Sequence, residues 1–346
     1  MKKLSLLSLA VSAALLCTAC GRASSSESTA SPEAYSRVVF AMDTYMSIKT
    51  YGGGNAALNA AEERITGLEK ELSVTDSGSD IARLNSADGK PVEVCEDTLA
   101  IIKKAVETGD LTGGALDVTA YPVVREWGFT TGEYKIPAQE KLGELLANVD
   151  YKRLSVNGSS VTLGEGQELD LGALAKGYTG DEVVKTLREN GAVAGIISLG
   201  GNVQSFGERP DGGPWRVAVI DPFFPDKDMC IVEIGEKAVI TSGNYERYFT
   251  GDDGKTYWHI IDPADGCPAD NGIVSATIIG DVGLECDALS TAMFVAGTEK
   301  AVEIWRSDPH YDMILVTDDS KIFYTEGIAE SFRNTSSMPA EVIALD

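Results

Sequence analysis

The sequence predicts an α+β fold in which mixed, mainly antiparallel sheets pack against helices. Three observations lead to this prediction. Hairpin-like strand pairs recur along the chain, amphipathic helices occur singly or in pairs, and strands and helices do not alternate regularly as they do in doubly wound α/β folds. The chain has 346 residues, 43% of them hydrophobic, which is enough for one large core or two smaller ones.

The first half of the chain begins with strands and one long helix. Apolar residues alternate through 35–51, which predicts strands. The glycines at 52–54 are not followed by Gly-Lys-Ser/Thr, so they indicate a turn rather than a phosphate loop. Spacings of three and four residues then predict an amphipathic helix, with apolar positions Leu58, Ala61, Ile65, Leu68 and Leu72.

Three further elements are predicted before residue 165. Asp97 or Thr98 is the expected cap of a helix that carries Leu99 and Ile102. A second helix is expected near 138–147. A hairpin over 154–163 is expected to turn at Asn157-Gly158, a favoured two-residue turn sequence.

The second half centres on Asp170 to Tyr178, which is predicted to run from a strand end through small residues toward a helix over 181–190. His259 falls in an apolar stretch predicted as a strand. Helices are expected to open at Asp287 and to cover 301–305. The other predicted strands are 194–199, 215–220, 231–234, 238–241, 274–279, 313–316 and 321–324.

The amino terminus is typical of a bacterial lipoprotein signal peptide, predicted over residues 1–19. Lys2 and Lys3 precede an apolar stretch that is too short to span a bilayer comfortably. Small residues then precede Cys20, the expected lipidated terminus of the mature protein. A flexible tether is predicted at 20–34, a folded domain at 35–335 and a C-terminal tail at 336–346. The sequence therefore predicts an extracytoplasmic protein, lipid-anchored to the cell membrane.

Charge and cysteine content limit the possible partners. The formal net charge is −24, and such an acidic protein repels phosphate backbones, so nucleic acid is not expected as a partner. The folded domain has four cysteines, Cys95, Cys230, Cys267 and Cys286. Four cysteines allow three pairings, and their spacing selects none of them.

Asp287 and Thr291 are candidates for a metal site. They are four residues apart on a predicted helix, so their side chains lie on one face. A carboxylate beside a hydroxyl suits a hard cation such as Mg²⁺, which prefers oxygen ligands. The alternative is an exposed cap aspartate with a buried threonine.

His259, one of two histidines, is a candidate for catalysis. The alternative is a structural histidine whose polar atoms are satisfied within a strand. The sequence contains no G-x-S-x-G, no H-E-x-x-H and no P-loop lysine. These absences argue against the standard serine hydrolases, zinc proteases and nucleotide kinases.

Eight stretches, in order, resemble the motifs of the ApbE family, the FAD:protein FMN transferases. The resemblance covers about 35–333 and implies an α+β fold related to the T-fold. The stretches are 41–44, 79–85, 115–119 with 127–129, 170–178, 199–202, 241–243, 259–263 and 287–292.

The resemblance implies a Mg²⁺-dependent reaction outside the cytoplasm. FAD would be cleaved at its pyrophosphate, its FMN half would be joined by a phosphoester to a Ser or Thr hydroxyl of another protein, and AMP would leave. Acceptors would be membrane redox-complex subunits or extracytoplasmic flavoproteins. Two alternatives stay open: a pyrophosphatase that hydrolyses FAD to FMN and AMP, and a lipoprotein that binds FAD without turnover.

The resemblance also implies roles for individual residues. The metal ligands would be the Ala173 backbone carbonyl, Asp287 and Thr291. His259 and Asp287 would be catalytic, with His259 accepting the hydroxyl proton or orienting the pyrophosphate. The FAD contacts would be Met42, Ala115, Leu116, Asp117, Asp170, Lys176, His259 and Ile261. Asp43 and Asn244 depart from the family's usual residues, which bears on substrate preference more than on the reaction.

Overall fold

Strands and helices account for much of residues 32–345, the part of the chain that this computed structural model describes. The predicted signal peptide, Cys20 and most of the predicted tether lie outside the described residues. The strands are β1 (Ala34–Ala41), β2 (Thr44–Gly52), β3 (Val92–Glu93), β4 (Ser155–Asn157), β5 (Ser160–Thr162), β6 (Ala192–Leu199), β7 (Asn202–Phe206), β8 (Trp215–Ile220), β9 (Asp228–Ile234), β10 (Ala238–Gly243), β11 (Tyr248–Thr250), β12 (Thr256–Trp258), β13 (Ile273–Gly280), β14 (Asp312–Thr317), β15 (Ile322–Thr325), β16 (Phe332–Asn334) and β17 (Ala340–Ile343). The α-helices are α1 (Gly54–Leu72), α2 (Asp80–Asn85), α3 (Glu96–Thr112), α4 (Tyr121–Glu126), α5 (Gln139–Leu146), α6 (Gly172–Glu189), α7 (Gly283–Ala296) and α8 (Thr298–Ser307).

A nine-stranded sheet forms the framework, in the order β1-β2-β6-β7-β10-β13-β14-β15-β17. Its neighbours are antiparallel except β15 and β17, which run parallel. Three small sheets accompany it, with strand orders β16-β9-β8, β3-β5-β4 and β11-β12. The antiparallel pairing and the packed helices confirm the α+β class.

Helix α7 lies at the centre of the core, because eleven of its fourteen residues are buried. One side, with Ala288 and Ala292, packs in a cluster with residues of α1, α3 and α6. The other, with Leu289 and Met293, packs on the nine-stranded sheet. Each fully buried leucine or methionine contributes about 1.5–3 kcal/mol. The predicted apolar face of α1 is confirmed, since all five of its predicted positions are buried.

Helix α6 begins earlier than predicted. It is continuous from Gly172, so 172–178 is helix rather than a turn, and residues 163–170 contain no strand that could end at Asp170. The glycine at 177 misled the prediction. A Cβ there would lie 2.2 Å from the Gly283 carbonyl oxygen, so glycine serves a close helix–helix contact and not a backbone turn.

Helix α7 also begins earlier than predicted, at Gly283 rather than at Asp287. Asp287 is therefore in the second turn and is only 4% exposed, which excludes the exposed cap aspartate considered from the sequence. Helix α3 is capped by neither Asp97 nor Thr98. Its N-cap is Cys95, whose Sγ accepts a hydrogen bond from the Thr98 N–H.

Three smaller differences concern strand boundaries. The β4–β5 turn consists of Gly158 and Ser159, one residue later than predicted. His259 directly follows β12 instead of lying within a strand. The predicted C-terminal tail contributes β17, which pairs with β15 at the edge of the large sheet. Within residues 32–345, no helix is both long enough and apolar enough to cross a bilayer.

Candidate active site

A cavity of about 950 Å³ opens where the β1–β2 turn, α6, α7 and the 241–247 segment meet. All the site residues predicted within the folded domain line this cavity, although the chain separates them by up to 249 positions. They are Met42, Ala115, Leu116, Asp117, Asp170, Ala173, Lys176, His259, Ile261, Asp287 and Thr291. The structure thus brings the whole predicted set together in one place.

Asp287 and Ala173 are brought together by the contact between α6 and α7. The Gly177 N–H, which in a regular helix bonds the Ala173 carbonyl, donates to Asp287 Oδ2 at 2.7 Å. A carbonyl oxygen has two lone pairs, so the Ala173 carbonyl keeps accepting capacity toward the cavity. Burial raises the pKa of Asp287, while the charge of Lys176 opposes that rise.

The hydroxyl of Thr291 belongs to a small hydrogen-bonded group. Ser242 Oγ of β10 lies 3.1 Å from Thr291 Oγ1 and 2.8 Å from Ser290 Oγ. A backbone carbonyl at 173, a buried carboxylate at 287 and this hydroxyl are all hard oxygen donors on one cavity wall. The donor set therefore fits Mg²⁺, which prefers oxygen ligands and leaves positions for water or phosphate.

Two cationic side chains face the cavity. Lys176 and Arg247 form no direct ion pair among residues 32–345, and both lower the pKa of His259 by charge repulsion. Their positive charge acts on the acids nearby: both oppose the rise that burial causes in the pKa values of Asp170 and Glu246. The site is therefore prepared for an anionic ligand.

His259 is neutral at physiological pH. Loss of water around the ring, followed by repulsion from Arg247 and Lys176, lowers its pKa to about 4. Its Nδ1 lies 3.3 Å from the Arg247 carbonyl oxygen, which can only accept, so Nδ1 carries the proton. The lone pair is then on Nε2. The edge of Phe129 packs near the ring, with the two centroids 6.3 Å apart.

Two of the acids predicted to bind the ligand also accept hydrogen bonds from backbone N–H groups around the cavity. Asp117 accepts from the N–H and hydroxyl of Thr119 and from the Tyr151 N–H, at 2.6–2.9 Å. Asp170 Oδ1 accepts from the Gly172 N–H at 3.0 Å, at the start of α6. Both carboxylates thus fix the cavity wall in addition to lining it.

The β1–β2 turn at the cavity is strained. Met42 and Asp43 have φ values of 49° and 58°, a conformation that suits glycine or asparagine better. Glu69 of α1 stabilises it, since its Oε1 accepts from the Met42 N–H at 2.6 Å. Strained turns of this kind concentrate at functional sites.

Sequence reasoning missed several residues of the site. No individual role was predicted for Arg247, Ser242 or Glu69; Ser242 falls within the 241–243 stretch that resembles the family, and Arg247 follows it in the polar turn 241–247. The signal available for the turn was its density of polar residues directly after a buried strand. Nothing in the spacing of Glu69 distinguishes it from the other acids on the exposed face of α1.

Comparison with known proteins agrees with this geometry. The profile of the ApbE family matches residues 42–315. An FAD:protein FMN transferase of Treponema pallidum is 30% identical over 343 residues, covering 92% of this chain and 94% of the relative. An FAD:protein FMN transferase of Vibrio cholerae is 32% identical over 272 residues, covering 77% of this chain and 80% of the relative.

Solved structures give the same result for the fold. The ApbE protein of Thermotoga maritima superimposes with a TM-score of 0.80 at 31% identity, covering 86% of this chain and 99% of that one. The flavin transferase ApbE of Vibrio cholerae gives a TM-score of 0.77 at 26% identity, with the same coverage. Family profile, relatives and structures agree, and the chain belongs to the ApbE family.

Proposed function

We propose that this protein is an FAD:protein FMN transferase. It moves the FMN half of FAD to a Ser or Thr hydroxyl of an acceptor protein, forms a phosphoester and releases AMP. One observation carries the proposal: three oxygen donors, two cations that have no ion-pair partner within residues 32–345 and a neutral histidine converge in one cavity. The names of the relatives support the same activity.

The cavity suits a dinucleotide in size and charge. Its volume of about 950 Å³ lies near the upper end of the range for small-molecule sites, roughly 300–1,000 Å³. Lys176 and Arg247 supply positive charge for the pyrophosphate. Phosphoryl transfer depends mainly on such charge neutralisation and on positioning, since little covalent chemistry falls to the protein.

The Ala173 carbonyl, Asp287 and Thr291 would hold Mg²⁺. The ion would stabilise negative charge on the phosphate oxygens and the departing AMP. Asp287 is well suited to this role because its carboxylate is buried near the positive charge of Lys176. The Gly177 N–H and the Ser242 hydroxyl orient the Asp287 and Thr291 side chains.

His259 acts as the general base. Its Nε2 takes the proton of the acceptor hydroxyl, the freed oxygen bonds to the phosphorus of the FMN half, and the bond from that phosphorus to the AMP oxygen breaks. AMP leaves with the electron pair of that bond. The neutral ring favours this role over orienting the pyrophosphate, which a charged imidazolium would do better.

We also propose that the protein works outside the cytoplasm, lipid-anchored through Cys20. The proposal rests on the signal-peptide pattern of residues 1–19. A membrane-held enzyme would meet acceptors such as membrane redox-complex subunits. Detection of the mature protein in the membrane fraction, and its release by Cys20→Ala, tests this.

One assay decides between the candidate activities. The protein is incubated with FAD, Mg²⁺ and an acceptor protein, and AMP release and protein-bound flavin fluorescence are measured together. AMP with labelled acceptor supports transfer. AMP without label indicates FAD hydrolysis, and flavin binding without AMP indicates a carrier.

A further inference from the structure

Helices α6 and α7 run side by side through three successive levels, each one helical turn from the next; the second and third are hydrogen-bonded contacts, and at the first Ala173 and Thr291 both line the cavity. Along α6 they fall at Ala173, Gly177 and Asp181, four residues apart. Along α7, running the opposite way, they fall at Thr291, Asp287 and Gly283, again four apart. The first level holds proposed metal ligands, the second is the bond from the Gly177 N–H to Asp287, and the third involves Asp181.

Asp181 secures the third level. Its Oδ1 accepts from the Gly283 N–H at 2.7 Å and its Oδ2 from the Leu284 N–H at 2.8 Å, the first two residues of α7. The residue that precedes α7, Val282, has no side chain that could cap the helix. The cap of α7 is therefore supplied by α6, which ties the start of one helix to the body of the other.

The packing around this level is close. Gln204 of β7 donates from Nε2 to the Gly177 carbonyl at 3.0 Å. A Cβ on Gly283 would lie 1.8 Å from that Nε2, and a Cβ on Gly177 would lie 2.6 Å from the Asp287 Cβ. Asp181, Gln204 and the two glycines thus form one interlocked contact behind the cavity wall.

The carboxylate at 181 is not explained by stability alone. Burial raises its pKa to about 6, and the negative charge of Asp287 adds to that rise. A raised pKa means that ionising this carboxyl at neutral pH costs the fold some stability relative to the protonated acid. Asp181 does not line the cavity, so it also has no direct contact with a ligand there.

We propose that Asp181 is a positioning residue for the metal site: by holding the first turn of α7 on α6, it sets the separation between the Ala173 carbonyl and the Asp287 and Thr291 side chains. The inference rests on the proposed function, because it assumes that these three groups bind the ion. Supporting groups behind metal ligands commonly change affinity by about 10–100-fold when removed.

The test measures metal binding directly. Mn²⁺, which shares the preference of Mg²⁺ for oxygen ligands, is titrated into the full chain with FAD bound, and free Mn²⁺ is followed by electron paramagnetic resonance. Asp181→Asn keeps the volume but loses one acceptor. It is expected to raise the Mn²⁺ dissociation constant by about tenfold or more. The Mg²⁺ concentration for half-maximal transfer is expected to rise in parallel, with little change in kcat at saturating Mg²⁺.

The matched control is Asp221→Asn. Asp221 is also a buried carboxylate that accepts from two consecutive backbone N–H groups, those of Phe223 and Phe224, but it lies in the β8–β9 turn. This variant should bind Mn²⁺ like the wild type. A purely structural role of Asp181 would lower the melting temperature and leave the dissociation constant unchanged, which would overturn the proposal.

Gln204→Met provides a second variant, should Asp181→Asn fail to fold. It removes the bond to the Gly177 carbonyl at similar volume and should weaken Mn²⁺ binding in the same direction. Unchanged Mn²⁺ binding in this folded variant, or in Asp181→Asn where that variant folds, would overturn the inference. Absence of Mn²⁺ binding by the wild type would instead refute the metal site of the proposed function, so the two failures are distinguishable.

Discussion

The two walls of the cavity are built in opposite ways. On the α6–α7 wall, glycines bring the two helices into contact, and the Asp287 carboxylate is fixed by the Gly177 N–H. On the wall that carries Arg247 and His259, both residues lie on short segments beside the β11–β12 hairpin, and the contact between them runs through the Arg247 backbone carbonyl. The difference fits the two tasks of the proposed function: one wall would hold ligands for an ion at fixed positions, and the other would present side chains to the substrates.

The comparison predicts that the α6–α7 wall tolerates no added volume. Gly177→Ala is expected to abolish transfer and lower the free energy of unfolding by about 3 kcal/mol or more, because the new Cβ would meet the Gly283 carbonyl at 2.2 Å. Denaturant unfolding and the AMP assay measure the two effects. Gly67→Ala in α1, with nothing within 4 Å, is the control and should raise stability by about 0.5–1 kcal/mol. Equal stability of both variants would show that the α6–α7 contact has room for a Cβ at position 177.

Removal of the fixed carboxylate should be almost as severe. Asp287→Ala is expected to reduce Mg²⁺-supported transfer by about a hundredfold or more, since metal ions contribute several kcal/mol to charge stabilisation. Circular dichroism should show an intact fold, and Thr291→Ser, which retains a hydroxyl, should keep most of the activity. Wild-type turnover by Asp287→Ala at limiting Mg²⁺ would refute the assigned metal site.

On the other wall, loss of the base should affect turnover and not the binding of FAD. His259→Ala is expected to lower kcat by about 10²–10⁴-fold, the usual contribution of general base catalysis, with little change in FAD affinity. The pH dependence of the residual activity should flatten, because water then accepts the proton. Retention of wild-type turnover across the pH range would show that His259 is not the base.

The smallest expected effect concerns the pKa of His259. Arg247→Gln removes a repelling charge, so the ring pKa, about 4 in the wild type, should move upward, as measured by the NMR shifts of the imidazole protons. Lys255→Gln, on the surface of the β11–β12 hairpin, should leave it unchanged. The lowered pKa of His259 also affects the stability of the fold. Between about pH 6.5 and 4 the unfolded chain binds more protons at His259 than the folded chain does, so the free energy of unfolding falls as the pH falls through this window.

The sequence predicted the members of the site better than the way the site is held together. Four-residue spacing placed Asp287 and Thr291 on one face of a helix, and the structure confirms that helix. The contact of Gly177 with Gly283 was not predictable, because a glycine in a small-residue stretch suggests a turn until its packing partner is known. Asp181 was missed for the same reason: it caps a helix more than 100 residues away along the chain.

Strand β17 has a practical consequence for anyone who expresses this protein. It covers β15 along four residue pairs, from Ile322 with Ala340 to Thr325 with Ile343. A chain shortened at residue 335 would leave the β15 backbone open as a template for pairing with other molecules, and such edges promote aggregation. Shortened versions should therefore end beyond Ile343, and affinity tags belong after that residue.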